Sequence, residues 1–262
     1  MDFVSTLVGV LVFLAIIIVA LAIERLAPAQ KQPARASAFN LIYTALYMLA
    51  QALIAPGVSI VTVAAVNAAG GGWIALPGSG WGLALSFITY TLAADLMEYL
   101  FHRAQHRFPA MWAMHSFHHS DTALNASTTN RHFWLEEALK MVTIHLLIGL
   151  LFKTPRVVLG MYAVASIYNV FLHMNIRIGF GRGSGIINSP QYHRVHHSCL
   201  PEHFDCNFAA IFTIWDVIFG TYHKPQPEEY PPTGLDTGDE PKRLADAVIW
   251  PLRSLRAARV TQ

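Results

Sequence analysis

The 262-residue chain has little charge and almost no cysteine. Asp, Glu, Lys and Arg make up 13% of its residues, the formal net charge is +2, and its two cysteines are Cys199 and Cys206. A charge so near zero argues against a nucleic-acid binder, and two closely spaced cysteines give no secreted disulfide framework. We therefore expect reduced thiols and no nucleic acid among the partners.

Hydrophobic residues take the place of charge, at 54% of the chain. Residues 3–23 form an uncharged apolar run that is long enough, at about 1.5 Å per helical residue, to cross a hydrocarbon layer of about 30 Å. A cleaved signal peptide is the competing interpretation. The run is too long for one, however, and Asp2 stands where a basic residue is typical. The sequence therefore predicts a transmembrane helix.

Two further apolar stretches follow, at 38–69 and 82–101. The first contains Pro56 and Gly57, which leaves open either one tilted span or a broken pair of helices. Basic residues lie after the first run and around the later histidines, so the positive-inside rule favours a single crossing by the stretch 38–69. The third helix then delivers His102 to the cytoplasmic face.

The second half of the chain has shorter apolar segments. Residues 138–152 and 157–174 predict a helical pair joined by the basic turn 153–156, either as a partly embedded hairpin or as two crossings. From Tyr222 the sequence is polar and proline-rich, which predicts a solvated extension. The tail 244–260 predicts a helix that lies on the membrane surface or, as the alternative, packs on the domain.

Histidine is unusually frequent, with 13 copies. The pattern HxxHH occurs twice, at 115–119 and 193–197, and His102 and His106 are four residues apart. On a helix these spacings direct the imidazoles of each motif to one sector. Burying them is costly unless their nitrogens have a partner, and a metal ion is such a partner. Eight imidazoles are too many for one ion, so the pattern predicts two metal ions, with zinc, iron, copper and nickel left open.

Further residues are candidates for the same site. His173 would be a ninth ligand, and Asn169, one helical turn earlier, would hold a metal-bound water. Ligating histidines need hydrogen-bond acceptors behind them, which is the role expected for His132 and Glu136, with direct ligation by His132 as the alternative.

Carboxylates inside apolar helices are functional by default, so Asp95 and Asp216 are also expected to accept imidazole protons. The alternative for both is a hydrogen bond that ties helices together. We expect His145 to be a hydrogen-bonded core residue, and His203 and His223 to be surface groups or groups that support the ligands.

The order HxxxH, HxxHH, HxxHH, with "HHS" after both triple motifs and "WDVIFGT" at 215–221, resembles the membrane fatty acid hydroxylase and sterol desaturase superfamily over residues 85–222. The resemblance implies an all-α, integral membrane helical bundle with a cytoplasmic helical cap that holds a non-haem di-iron site. The pair of Asn169 and His173 is similar to the NxxxH element of related acyl desaturases, although many hydroxylases have a His pair there. The implied iron ligands are His102, His106, His115, His118, His119, His173, His193, His196 and His197.

The resemblance further implies that two iron ions and O2 attack an unactivated C–H bond of a lipid. We expect hydroxylation of a fatty-acyl, sterol-like or isoprenoid chain, with desaturation as the alternative. No "HPGG"-like segment of a fused haem domain is found. We therefore expect an external electron donor, either a ferredoxin, a cytochrome b5-like protein or a reductase. Its expected docking face is Arg103, Arg107, Arg131 and Arg194, with a positive-inside bias as the alternative explanation of these arginines.

Two more distant alternatives are a zinc-dependent membrane hydrolase and a metal transporter. HExxH is absent, and the histidines cluster at predicted helix ends rather than at mid-membrane depth. We divide the chain into transmembrane helices (1–81), a di-iron domain (82–222) and an extension with a possible membrane-surface helix (223–262). Five lysines against 13 arginines favour a bacterial plasma membrane over the endoplasmic reticulum.

Overall fold

The computed structural model describes residues 3–33, 35–153 and 158–253. Its regular elements in these ranges are helical, so the predicted all-α fold class is confirmed for them. Short 3-10 turns lie at Ala126–Asn130, Gly181–Gly185 and Pro201–His203. The α-helices are α1 (Phe3–Glu24), α2 (Ala36–Ala68), α3 (Trp81–Arg107), α4 (Pro109–His119), α5 (Glu136–Lys140), α6 (Leu146–Leu151), α7 (Val158–His173), α8 (Pro190–His196), α9 (Ile214–Phe219) and α10 (Leu244–Val248).

Among the described helices, α1, α2 and α3 are long and apolar enough to cross a membrane. α2 continues through Pro56 as one helix, so the alternative of a broken pair is wrong. α3 continues to Arg107, about a turn and a half beyond its predicted end at 101. Its first residue, Trp81, is 93% exposed, as is typical of an aromatic residue at a membrane interface.

A shorter helical layer lies beside α3. α5, a π-helical turn (Met141–His145) and α6 follow one another without a break. Lys140 pairs with Glu98 at 2.8 Å, and the ring of Phe152 lies 5.6 Å from that of Tyr90, so this layer runs antiparallel to α3. In the described part of the chain it is not a candidate span, and neither is α7.

Two apolar clusters hold the bundle together. In one, Ile144 and Ile148 pack against Tyr90 of α3. In the other, Ile17 of α1 packs with Val170 of α7. The polar end of the bundle is tied by Glu24, whose carboxylate accepts hydrogen bonds from the backbone amides of Ala126 and Asn175. The end of α1 is thereby joined to the 3-10 turn that follows α4 and to the residues that follow α7. Of the predicted turn at 153–156, residues 154–156 lie outside the described residues.

The extension, residues 222–243, is mostly exposed, but it is bonded to the bundle. Arg194 of α8 donates to the carbonyl of Pro231 at 2.9 Å, and Gln191 donates to the carbonyl of Gln226 at 2.6 Å. Thr233 is buried. The extension therefore lies against α8, because polar side chains of that short helix satisfy its carbonyls.

The tail packs on the domain as far as it is described. Ala247 and Trp250 are buried against Tyr43 and Phe117, and the Trp250 indole donates to Ser116 at 2.9 Å. This favours the packed helix over the membrane-surface helix for the described part, and residues 254–260 lie outside it. Cys199 and Cys206 are free thiols.

Candidate metal centre

The first HxxHH segment is placed by a sharp turn after α3. Phe108 is extended (φ −102°, ψ 121°), and Pro109 begins α4, where its missing amide costs no helical hydrogen bond. α4 therefore packs back on α3. As a result, the ring of His115 lies 4.9 Å from that of His102, centre to centre.

The second HxxHH segment is placed by α8. The side chain of Ser189 accepts a hydrogen bond from an amide of the first turn, and Pro190 is the first helical residue. Serine followed by proline is a common helix start. Both HxxHH segments are therefore helical down to their last residue, which lies in the final turn of α4 or at the C-cap of α8.

The structure brings all nine predicted ligands together, in two groups among the described residues. Within a group, one ligand atom of every member lies within 4.8 Å of those of the others. We call them the first and the second imidazole group. The first consists of His102, His106, His115, His119 and His196, and the second of His118, His173, His193 and His197.

Each HxxHH motif contributes to both groups. His115 and His119 belong to the first group, and His118 belongs to the second. Residues four apart on a helix differ by about 40° in direction, whereas neighbours differ by about 100°. In α8 the assignment is reversed, with only His196 in the first group. The two groups are therefore adjacent. At their boundary the rings of His119 and His197 stack, with 4.4 Å between the ring centres.

Hydrogen bonds fix the tautomer in the first group. The Nδ1 atoms of His102 and His196 lie 2.8 Å from the main-chain carbonyls of Phe208 and Cys206. A carbonyl only accepts, so Nδ1 carries the proton and Nε2 keeps its lone pair. Both Nε2 atoms are buried without a hydrogen-bond partner in the described part of the chain. Bare buried lone pairs of this kind fit a bound cation.

The second group has the same chemistry. His173 donates from Nδ1 to the carbonyl of Asn169 at 2.8 Å, so its Nε2 also keeps the lone pair. That Nε2 lies 3.2 Å from Nε2 of His118 and 3.1 Å from Nε2 of His193. Adjacent imidazole ligands on one metal ion, each at about 2.1 Å, are about 3 Å apart. The nitrogens are thus spaced as ligands of one ion.

Burial keeps these imidazoles neutral. Removal from solvent lowers the pKa of His118, His193 and His197 well below the ordinary value, and the charge of neighbouring histidines lowers it further. Burial likewise lowers the pKa of His115 and His173 to about 4. Neutral imidazole is the form that binds metal, so the group is ready for ligation at neutral pH.

Glu136 is the carboxylate nearest to the imidazoles. It accepts from His115 Nδ1 at 3.1 Å and from the Gln105 amide at 2.6 Å. Burial alone would raise the Glu136 pKa, but the hydrogen bond from His115 and the nearby ring of His132 hold it below its usual range. His132 is in neither imidazole group, and its ring stacks on His118 at 4.3 Å. The geometry thus gives both residues positions behind the nine imidazoles.

Asp95 and Asp216 contact the chain that supports the imidazoles. Asp95 accepts from the backbone amides of Ile211 and Phe212 at 2.9 Å. Asp216 accepts from the backbone amide of Phe208 at 2.8 Å. These donors are not imidazoles, so the expectation that Asp95 and Asp216 accept imidazole protons is wrong for the bonds described. Because backbone amides are the donors, the alternative role of tying elements together fits them.

The sequence did not indicate the hydrogen-bond acceptors of His102 and His196, which are backbone carbonyls in residues 205–209. Asp205 and Asn207 have positive φ angles of 57° and 60°, a conformation that Asp and Asn tolerate better than most residues. The two left-handed residues flank Cys206, whose carbonyl faces His196. Asp205 also lies 3.6 Å from Nδ1 of His106. An Asp-x-Asn signal was available but has no specific meaning alone.

Three other residues depart from expectation or stay open. His145 is half-buried and lines a cavity, with its ring 5.5 Å from that of Tyr162, rather than filling the core. His203 is buried, 5% exposed, and not a surface group. Asn169 lines the same cavity as His145, one turn before His173.

The cavity has a volume of about 540 Å³ and lies between α2, α3, α5, α6 and α7. Imidazoles of both groups line it, including His102 and His118. Apolar residues such as Ile148 and Met161 line it further from the histidines, and Glu98 and Lys140 lie between. A cavity of this size, mostly apolar with a few polar groups, is typical of a small-molecule site.

The expected docking face is corrected by burial. Arg131 and Arg194 are 5% and 2% exposed and are bonded to groups of the fold, so neither can meet a partner. Arg103 and Arg107 are exposed on the histidine-bearing end of α3. The basic surface beside the imidazoles is therefore narrower than the sequence predicts.

Known proteins similar to the chain include a monooxygenase, a hydroxylase and a desaturase. A family model described as "Fatty acid hydroxylase" matches residues 87–221. The chain is 32% identical to the alkylglycerol monooxygenase of Homo sapiens, over 54% of this chain and 32% of that protein. It is 28% identical to the ornithine lipid hydroxylase OlsE of Rhizobium tropici, over 55% of this chain and 44% of OlsE.

A desaturase is also among the similar proteins. The Delta(7)-sterol 5(6)-desaturase of Eremothecium gossypii is 26% identical over 56% of this chain and 40% of its own length. The matched parts are about a third of the length of the alkylglycerol monooxygenases. No solved structure is significantly similar to the chain.

Proposed function

Because the chain belongs to the fatty acid hydroxylase family, we propose that it is a membrane-bound di-iron oxygenase that hydroxylates an unactivated C–H bond of a lipid. One observation carries the proposal: two groups of buried imidazoles line a largely apolar cavity between the helices. In this proposal each imidazole group holds one iron ion. With O2, two electrons and two protons, iron would supply the oxidation of C–H to C–OH, and the second oxygen atom would leave as water.

The chain's own residues hold and orient the ligands. The carbonyls of Cys206 and Phe208 fix the rings of His196 and His102 with Nε2 inward, and the Glu136 carboxylate does the same for His115. Fixed rings lower the cost of ordering the site when metal binds, and removing such outer partners typically costs about 10–100-fold in metal affinity or activity. Asn169 lines the cavity beside His173 and is proposed to hold a water there.

The cavity is proposed to bind the lipid chain. Thr91 also lines it, eleven residues before His102 on α3, which corresponds to about 16 Å along the helix axis. The apolar residues of its lining would exclude water and hold a methylene of an extended chain beside the imidazoles. The names of similar proteins include alkylglycerol, ornithine lipid and sterol substrates. We propose a lipid with a long apolar part and leave the carbon attacked to experiment.

Electrons are proposed to come from a separate protein, either a ferredoxin, a cytochrome b5-like protein or a reductase. Trp112 is half-buried, and its ring lies 4.9 Å from that of His106 and 5.5 Å from that of His119. Arg103 and Arg107 are exposed on the same end of α3. A negatively charged donor could therefore dock beside a short aromatic path to the first imidazole group.

We propose a cytoplasmic position for this site in a bacterial plasma membrane. Support comes from the distribution of basic residues, which favours the cytoplasm for the histidine-bearing ends of the helices. The proposed division of the chain is membrane helices at 1–81, the di-iron domain at 82–222 and the extension with the tail at 223–262.

The test of the proposed function is oxygen labelling. Full-length protein is purified in detergent, loaded with ferrous iron without air, and supplied with membrane lipids, a ferredoxin and its reductase, and ¹⁸O2. Mass spectrometry should detect a lipid that carries one ¹⁸O atom. A product that has lost two hydrogens and carries no ¹⁸O would show that the enzyme is a desaturase and not a hydroxylase. If the iron-loaded protein forms no oxygen-dependent product, the proposal is wrong. His196→Ala serves as the inactive control.

A further inference from the structure

Three side chains outside the two imidazole groups converge on one point. The Nε2 atom of His203 lies 2.9 Å from Oε1 of Glu229, and the Nε2 atom of His223 lies 3.0 Å from the same oxygen. Their ligand atoms all lie within 4.8 Å of one another. His203 follows α8 on a short 3-10 turn, whereas His223 and Glu229 belong to the extension. The convergence therefore joins two separate parts of the chain.

Each of the three residues is held from behind. Nδ1 of His203 lies 2.9 Å from the hydroxyl of Ser198, and Oε2 of Glu229 accepts from the backbone amide of Gln226 at 2.7 Å. The backbone amide of His223 donates to the side chain of Asn207 at 2.8 Å. Metal-ligating histidines and carboxylates usually have side-chain partners like those of His203 and Glu229, which fix the orientation of the ligand group and leave one atom free to bind.

We propose that His203, His223 and Glu229 bind a third metal ion, a divalent zinc ion that fastens the extension to the segment after α8. Two imidazole nitrogens and one carboxylate oxygen are a known zinc donor set, and water completes such a site. Neighbouring ligands of a tetrahedral zinc ion are about 3.3 Å apart, so the two nitrogen–oxygen distances need to open by only a few tenths of an ångström. The side chain of His223 is 33% exposed, which gives water access to the fourth position.

A zinc ion would strengthen the attachment of the extension. Residues 224–232, KPQPEEYPP, are polar and proline-rich and bury little apolar surface. Besides this cluster, its carbonyls accept hydrogen bonds from Arg194 and Gln191 of α8, from the side chain of Gln30 and from the backbone amide of Cys199. Such hydrogen bonds contribute little net free energy because the carbonyls bond to water when the segment is released, whereas a metal site adds its binding free energy to folding. The zinc ion would thus hold the extension against α8, which together with its C-cap residue carries three of the nine imidazoles.

The same three residues also fit two plain hydrogen bonds from imidazoles to a carboxylate, and the test separates the two states. Full-length protein is loaded with iron, equilibrated with zinc, and freed of unbound metal. Elemental analysis then gives zinc and iron per chain. We expect one zinc ion more in the wild type than in His223→Ala, with equal iron in both. His145→Ala is the matched control for loss of a histidine and should keep the wild-type zinc content.

Glu229→Gln tests the site without removing a side chain, because a glutamine keeps a hydrogen-bond acceptor but loses the ligand charge. It should lose the same zinc ion as His223→Ala. Equal zinc in the wild type and both variants would overturn the proposal in favour of hydrogen bonds alone. If His223→Ala also loses iron, it is misfolded, and Glu229→Gln decides the question.

A second readout is proteolysis of the extension after Glu228, whose side chain is 92% exposed. With zinc at about ten times its dissociation constant, local opening of the extension should fall about tenfold. Cleavage by a glutamate-specific protease should therefore slow about tenfold on zinc addition in the wild type and should not respond to zinc in His223→Ala. A zinc response of equal size in both proteins would contradict the assignment.

Discussion

His196 donates a hydrogen bond from Nδ1 to the main-chain carbonyl of Cys206 at 2.8 Å, ten residues further along the chain. This single bond decides which nitrogen of the ring is free. It requires the proton on Nδ1 and leaves Nε2 bare, buried and directed toward the other imidazoles of the first group. The bond in turn depends on the left-handed residues on either side of Cys206.

Asp205 tests the importance of that backbone conformation. Asp205→Val forces a β-branched residue into φ 57°, which should cost about 1–2 kcal/mol and displace the Cys206 carbonyl. Asp205→Gly loses the same contact with His106 but adopts the angle freely. We therefore expect Asp205→Val to unfold at a lower temperature and to release iron faster than Asp205→Gly. Equal behaviour of the two variants would mean that the angle has no role.

Glu136 tests the role of charge behind an imidazole. Glu136→Gln keeps the shape of the side chain but removes the negative charge that faces His115 Nδ1. We expect iron affinity to fall about 10–100-fold with little change in helix content. Competition with a calibrated chelator gives the affinity, and circular dichroism gives the helix content. Glu202→Gln, an exposed carboxylate on the turn after α8, should leave both unchanged.

Ala94 tests the cavity as the lipid site. It lines the cavity eight residues before His102, about 12 Å along α3. Ala94→Phe should fill this part and lower turnover of long-chain lipids much more than turnover of short ones, with iron content unchanged. Ala84→Phe places the same ring on the exposed face of α3 as a control. Loss of turnover regardless of chain length would argue that the lipid binds elsewhere.

Arg103 and Arg107 test the docking surface. Reversing both charges with Arg103→Glu and Arg107→Glu should slow reduction by a negatively charged protein donor by about tenfold or more at low salt. The difference should shrink at high ionic strength because salt screens exposed charges. Reduction by dithionite should not change, and Arg182→Glu is the exposed control. Stopped-flow absorbance of the donor measures the rate, and a salt-independent effect would contradict docking through charge.

Much of the site could be predicted because helical spacing is a local property. The repeated HxxHH motifs and the pair His102 and His106 are enough to place eight imidazoles on three helix ends. Their division between two groups could not be predicted, because it depends on how α4 and α8 rotate against each other. Residues that are neighbours in sequence, such as His118 and His119, belong to different groups.

The features that the sequence did not reveal depend on long-range contacts. The carbonyls that hold His102 and His196 belong to the backbone, which every residue has, so no residue type marks them. Arg131 and Arg194 resemble surface charges in the sequence, yet both are buried by contacts with distant groups such as Asn40 and Pro231. Burial of a charged residue depends on partners that local composition does not contain.

The central claim is that the two imidazole groups hold two iron ions. The most direct measurement is Mössbauer spectroscopy, with iron analysis, of full-length protein loaded with ⁵⁷Fe under anaerobic conditions. We predict two iron ions per chain in the wild type, which become a coupled diferric pair after oxidation, and a marked loss of iron in both His196→Ala and His193→Ala. One uncoupled iron ion per chain, or iron content that is unchanged in both variants, would contradict the account.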